Sequence, residues 1–137
     1  MINIEDLTLV RQGIHNPGEP RHYMRLKPVN GHVRIRLGQT VLAESDAAIR
    51  LLEVGRDLYD PVVYLPRADV LATLTPVAGK SSHCPLKGDA CYYTLDDDDP
   101  IAWRYDRPLP HAEGLRDLIA FYPDRVTVEE SGALAAG

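Results

Sequence analysis

The sequence predicts an α+β fold that is mostly β, a small single-domain antiparallel β-sheet with one or two short helices. Three observations lead there. Val33, Ile35 and Leu37 alternate with Arg34 and Arg36 after the turn pair Asn30-Gly31, the period-two pattern of a strand with one buried face. Ala90-Cys91-Tyr92-Tyr93-Thr94-Leu95 and Ile101-Ala102-Trp103-Arg104-Tyr105 bracket Asp96-Asp97-Asp98-Asp99-Pro100, which reads as a hairpin with an acidic tip. Clear helical spacing is confined to Leu115, Leu118, Ile119 and Tyr122, between Pro110 and Pro123, which places the last helix within residues 111 to 122.

The other elements follow in order. Residues 1 to 24 carry Gly13, Asn16, Pro17, Gly18 and Pro20 without a sustained period and read as an irregular arm. The β-rich domain spans residues 25 to 130, and residues 131 to 137 form a small-residue, flexible tail. Gly38-Gln39 offers a hairpin turn into Thr40-Val41-Leu42-Ala43. Ser45-Asp46 is placed to cap a short helix bearing Ile49, Leu51 and Leu52, with a strand as the rival reading. Pro61-Val62-Val63-Tyr64-Leu65 and Val70-Leu71-Ala72-Thr73-Leu74 read as strands, Gly79 to Ser82 as a loop, and Arg125-Val126-Thr127-Val128-Glu129 as a last strand.

Composition bounds the function. At 137 residues one domain is expected, and 45% apolar with 26% charged residues is ordinary globular usage. A net charge of -5 with no basic, aromatic-interleaved run excludes a nucleic-acid partner. The apolar stretches are too short to cross a membrane, and Met1-Ile2-Asn3-Ile4-Glu5-Asp6 lacks the pattern of a signal peptide, so a soluble, cytoplasmic protein is expected. Cys84 and Cys91 are then expected as reduced thiols. With His83 they supply too few ligands, at the wrong spacing, for a structural zinc site, so neither metal nor cofactor is expected.

Six separated segments, in order, resemble the domain of unknown function 427 family: Val33-Arg34-Ile35, Leu42-Ala43-Glu44-Ser45, Tyr64 to Val70, Cys84-Pro85-Leu86-Lys87-Gly88-Asp89-Ala90, Trp103-Arg104-Tyr105 and Phe121 to Val126. The resemblance covers roughly residues 23 to 130. It implies a small β-rich domain with no assigned biochemical role, one that sometimes carries a nucleotidyltransferase-like label. The residues themselves do not supply such a site. Gly79-Lys80-Ser81 imitates the end of a phosphate-binding loop, but Leu74 stands where its first glycine is needed, and the flanks read as β-loop-β.

The candidate site is drawn around Arg67, Asp69, Lys87, Tyr64 and Tyr92. Arg67 follows Pro66 and Lys87 precedes Gly88, neighbours that suit a shaped backbone, and together the two cations would hold an anionic group with Asp69 orienting the arginine. Tyrosines bring a packing body and a hydroxyl, so Tyr64 and Tyr92 suit a polar pocket. The leading expectation is a domain that binds a small anionic ligand in a polar, tyrosine-lined pocket, with or without catalysis. The alternatives are a thiol-dependent enzyme with Cys84 as nucleophile, and a protein-interaction module presenting a strand edge. The oligomeric state is left open.

Overall fold

The computed structural model describes residues 13–96 and 99–132. Asp97 and Asp98 of the expected acidic hairpin tip, half of the N-terminal arm and most of the C-terminal tail lie outside the described residues. Among the described residues eleven strands follow one another: β1 (Ile14–Asn16), β2 (Glu19–Pro28), β3 (His32–Leu37), β4 (Thr40–Ser45), β5 (Ile49–Val54), β6 (Val62–Pro66), β7 (Thr75–Cys84), β8 (Gly88–Thr94), β9 (Ala102–Pro108), β10 (Leu118–Phe121) and β11 (Thr127–Ser131). They build an eight-stranded antiparallel sheet, ordered β1-β2-β5-β6-β10-β9-β8-β7, and a three-stranded sheet, ordered β11-β3-β4. The fold is the mostly β architecture expected.

Strand alternation sorts the interior into two layers. Val33, Ile35, Leu42 and Ala43 of the small sheet pack on Leu65, Tyr93, Ala102, Ile119 and Phe121, which all project from one face of the large sheet. The next residues along the same strands, Tyr64, Tyr92, Trp103 and Ala120, project from its other face. There they meet Met24, Leu51, Leu86 and the 3₁₀ helix Pro110–Leu115, which buries Ala112 and Leu115.

Several sequence expectations are corrected. Residues 14 to 24 are not irregular: they form β1 and the start of β2, paired in register with one another, and Tyr23 and Met24 also pair with β5. Ser45 does cap a turn, its hydroxyl accepting from the amide of Ala47 (2.9 Å), but the chain then enters strand β5, the rival of the two readings, and not a helix. Only Val70 of the run Val70 to Leu74 makes a β-bridge, because the 3₁₀ turn Arg67–Asp69 reverses the chain and Leu71 and Ala72 donate instead to the carbonyl of Leu42. The last helix shrinks to the 3₁₀ helix Pro110–Leu115. Leu118 and Ile119 face opposite sides of the sheet, so their helical spacing was coincidental.

Residues 79 to 82, expected as a loop, lie within β7. This strand forms one edge of the large sheet, exposed along most of its length, and its pairing with β8 breaks register between Pro76 and Ser81. Among the described residues no helix is long and apolar enough to cross a membrane.

Candidate functional site

The site is built on the turn between β7 and β8, Pro85-Leu86-Lys87, closed by the Cys84 and Gly88 pair. Two hydrogen bonds press this turn into the protein: the amide of Leu109 donates to the carbonyl of Lys87 (2.9 Å), and the ring of His111 donates from Nε2 to that of Leu86 (2.7 Å). Gly88 makes the close approach possible. Its φ is +117°, and a Cβ there would lie 2.4 Å from the carbonyl oxygen of Arg107 and 2.7 Å from the amide nitrogen of Leu109.

The turn buries a charge. Lys87 is 9% exposed, and its Nζ donates to Oε1 of Glu53 on β5 while sitting 5.5 Å from the ring centre of Tyr105. Burial is the largest influence on Lys87 and opposes its ionisation, but the bond to Glu53 together with the nearby Tyr64, Glu53 and Cys84 outweighs it and holds the ammonium above its usual range. Burial likewise works against the Glu53 carboxylate, and the hydrogen bonds from Lys87 and His22 reverse the sign and keep it below the usual range. His22 on β2 donates from Nε2 to Oε2 of Glu53 (2.8 Å), and its Nδ1 accepts from Nδ2 of Asn16 (3.3 Å). A connected chain Asn16-His22-Glu53-Lys87 therefore runs through the interior. Cys84 lies against it: its Sγ, a ring nitrogen of His22 and a carboxylate oxygen of Glu53 are all within 4.8 Å of one another.

Lys87 and Glu53 form the floor of a cleft of about 240 Å³ walled by Tyr59, Tyr64, Tyr92, Trp103, Tyr105 and Tyr122. Trp103 donates from Nε1 to the hydroxyl of Tyr64 (3.1 Å) and packs at a tilt against Tyr122 with ring centres 4.7 Å apart. Burial pushes the phenols of Tyr64, Tyr105 and Tyr122 above their usual range, so they stay protonated at neutral pH and can donate. At the rim, the ammonium of Lys80 lies 4.6 Å over the ring of Tyr92, whose hydroxyl is bonded to that of Ser82 (2.6 Å). His22 borders a second opening of about 500 Å³, with Pro85, Gly55 and Tyr59.

Of the residues singled out from sequence, the structure brings Lys87, Tyr64, Tyr92 and Cys84 together, and it separates Arg67 and Asp69 from them. Arg67 lines a different opening with Val70, Tyr93 and Ile119, on the face that the small sheet covers. The expected convergence of Arg67 with Lys87 is therefore corrected: the 3₁₀ turn after β6 carries Arg67 to the opposite side from Tyr64. Asp69 does not orient Arg67 either, because its carboxylate accepts from the hydroxyl of Ser45 (2.6 Å) and no ion pair joins the two among the described residues. Cys91 is also on that opposite face, donating its thiol proton to the hydroxyl of Tyr93 (3.6 Å), so it shares no site with Cys84.

Sequence reasoning missed Glu53, His22 and Tyr59, and noted Tyr105 and Trp103 among the aromatics without drawing them into the site. A signal for Glu53 existed. Read as a strand, residues 49 to 54 put it on the same face as buried Leu51, and an acid on an apolar face calls for a partner. His22 had none, since the arm showed no period.

The fold and the site together define a class: a small antiparallel β domain with a buried Lys-Glu-His chain under an aromatic cleft. The chain belongs to the domain of unknown function 427 family, whose model matches residues 25–132. That span includes Glu53, Cys84, Lys87 and the cleft tyrosines, and begins three residues after His22. No curated protein matches the chain.

Proposed function

We propose that the domain binds a small anionic molecule in the tyrosine-walled cleft, with its acidic oxygens on Lys87 and the phenol hydroxyls of Tyr64 and Tyr105. The observation that carries this reading is that a buried ammonium lines an open cleft instead of being sealed into the core. An ammonium has three donors and Glu53 takes one. Tyr105 has no protein partner for its hydroxyl among the described residues and so has a proton to offer. Glu53 keeps Lys87 charged, Lys80 adds a positive field at the rim, and Trp103 and Tyr122 supply ring surface for the body of the ligand. A volume of about 240 Å³ falls below the roughly 300–1,000 Å³ of drug-sized sites, which favours a compact acid.

The test is a thermal-shift and calorimetric screen of small carboxylic acids and phosphates against wild type, Tyr105→Phe, Lys87→Met and Arg67→Ala. A hit should bind about tenfold more weakly to Tyr105→Phe, the equivalent of one lost hydrogen bond. It should not bind Lys87→Met, and it should bind Arg67→Ala as it binds wild type. Equal responses from all four proteins would remove the reading.

A second reading makes Cys84 a nucleophile, and its support is the thiol's position beside His22, Glu53 and the charge of Lys87. Both ring nitrogens of His22 are already engaged, by Glu53 and Asn16, so proton relay to the thiol would need one of these bonds to open. In a Cys91→Ala background, iodoacetamide should label Cys84 faster at neutral pH than it labels free cysteine. A slower rate rejects a reactive thiol.

A further inference from the structure

We propose that His22, Glu53 and Cys84 form a three-ligand site for a divalent cation of the zinc type, opening between the two clefts. The three residues come from β2, β5 and β7, far apart in sequence, and the fold brings one ligand atom of each within 4.8 Å of the others. A tetrahedral zinc with legs of about 2.0–2.3 Å places its ligand atoms roughly 3.3–3.8 Å apart. The site therefore closes around an ion with side-chain movements on the order of 1 Å. The 2.8 Å separation of His22 Nε2 from Glu53 Oε2 is close to the needed spacing already, with a proton where the metal would sit.

The donor set of one sulfur, one imidazole nitrogen and one carboxylate oxygen suits a borderline-soft ion, and three protein ligands leave the fourth position free for water or a ligand atom. Access exists on both sides, because His22 borders the opening of about 500 Å³ and Glu53 the tyrosine cleft of about 240 Å³. Charge balances as well. A Cys84 thiolate and the Glu53 carboxylate neutralise a dication, binding releases the thiol proton while the Nε2 proton of His22 passes to Nδ1 so that the ring stays neutral, and the remaining positive charge of Lys87 beside the open position favours an anionic fourth ligand. Asn16 stands beside Nδ1 of His22, where a turn of its amide to present Oδ1 would make it the outer acceptor that orients a metal-bound imidazole. Cys91, on the other face of the sheet, takes no part.

The experiment uses the full chain, reduced and stripped with a chelator, titrated with Co²⁺ as a spectroscopic stand-in and then with Zn²⁺. One equivalent of cobalt should give the strong visible bands of a four-coordinate ion and a thiolate-to-cobalt charge-transfer band, and zinc should displace it. Cys91→Ala should keep both features and Cys84→Ser should lose the charge-transfer band, with circular dichroism confirming that each is folded. Asn16→Asp, which puts a carboxylate behind the ring, should tighten binding about 10–100-fold. Weak octahedral bands without charge transfer, or a Cys84→Ser spectrum identical to wild type, overturns the site. Repeating the anion screen in excess chelator keeps that test independent of this one.

Discussion

Leu65 and Tyr64 are neighbours on β6 and enter different environments. Leu65 points at the small sheet, into a layer of Val33, Ile35, Leu42 and Phe121 that packs without an ionised group among its buried members. Tyr64 points the other way, where it meets Trp103, Tyr105 and a Lys87-Glu53-His22 chain drawn partly out of water. Burying an ion pair is weak evidence for stability, because apolar residues of the same shape often do as well or better. The first face is explained by packing alone. The second carries polar groups that packing did not require, and this is where binding chemistry is expected.

Variants can sharpen that contrast. The largest effect is expected from Gly88→Ala, where a positive φ and a 2.4 Å approach to a carbonyl oxygen act together. A loss above about 4 kcal/mol, read by urea unfolding, would mark this turn as the anchor of the polar face. Leu65→Ala should cost roughly 3–4 kcal/mol by leaving a cavity in the closed layer, and it should leave anion binding intact in whatever fraction stays folded. Lys87→Met should cost about 3 kcal/mol, because Glu53 is left buried with only His22, and Lys87→Met/Glu53→Gln should recover part of that loss. Recovery beyond wild type would show directly that the ion pair is not there for stability. A value of zero for Lys87→Met would break the comparison.

A smaller effect should appear with pH. Glu53 is held below its ordinary value of 4.5, so its share of the stability is present above that pH and fades as pH falls through the folded-state value. The stability gap between wild type and Glu53→Gln should therefore narrow on acidification from pH 5 downward. Lys87 is held above its ordinary value of 10.5, so its share persists below that pH and is lost on the alkaline side. Smallest of all, Arg67→Ala should change stability by no more than about 0.5 kcal/mol, as expected of an exposed side chain away from the polar chain.

How far the sequence was legible follows the same division. The closed layer was readable because period-two alternation is a local signal, and β3, β6, β8 and β9 fell where Val33 to Leu37, Val62 to Leu65, Ala90 to Leu95 and Ile101 to Tyr105 pointed. Lys87 and Tyr92 were readable from the turn glycine and the tyrosine richness. His22 was not, since it gains its meaning from Glu53, 31 residues away, and the faint signal of Glu53 took its meaning from partners 31 and 34 residues away in the chain. Arg67 was misplaced for a related reason: a three-residue 3₁₀ turn decides its side of the sheet, and nothing in Pro66-Arg67-Ala68-Asp69 declares that turn.

The outer edge of β7 has a consequence for how this molecule meets others. An eight-stranded sheet ending in a long exposed strand would ordinarily template a ninth strand from another chain and begin a path to aggregation. Here Pro76 removes one donor, Gly79 adopts a φ of +73°, the register breaks between Pro76 and Ser81, and Lys80 places a charge along the rim. Strand-to-strand docking is thereby blunted at the edge beside the cleft.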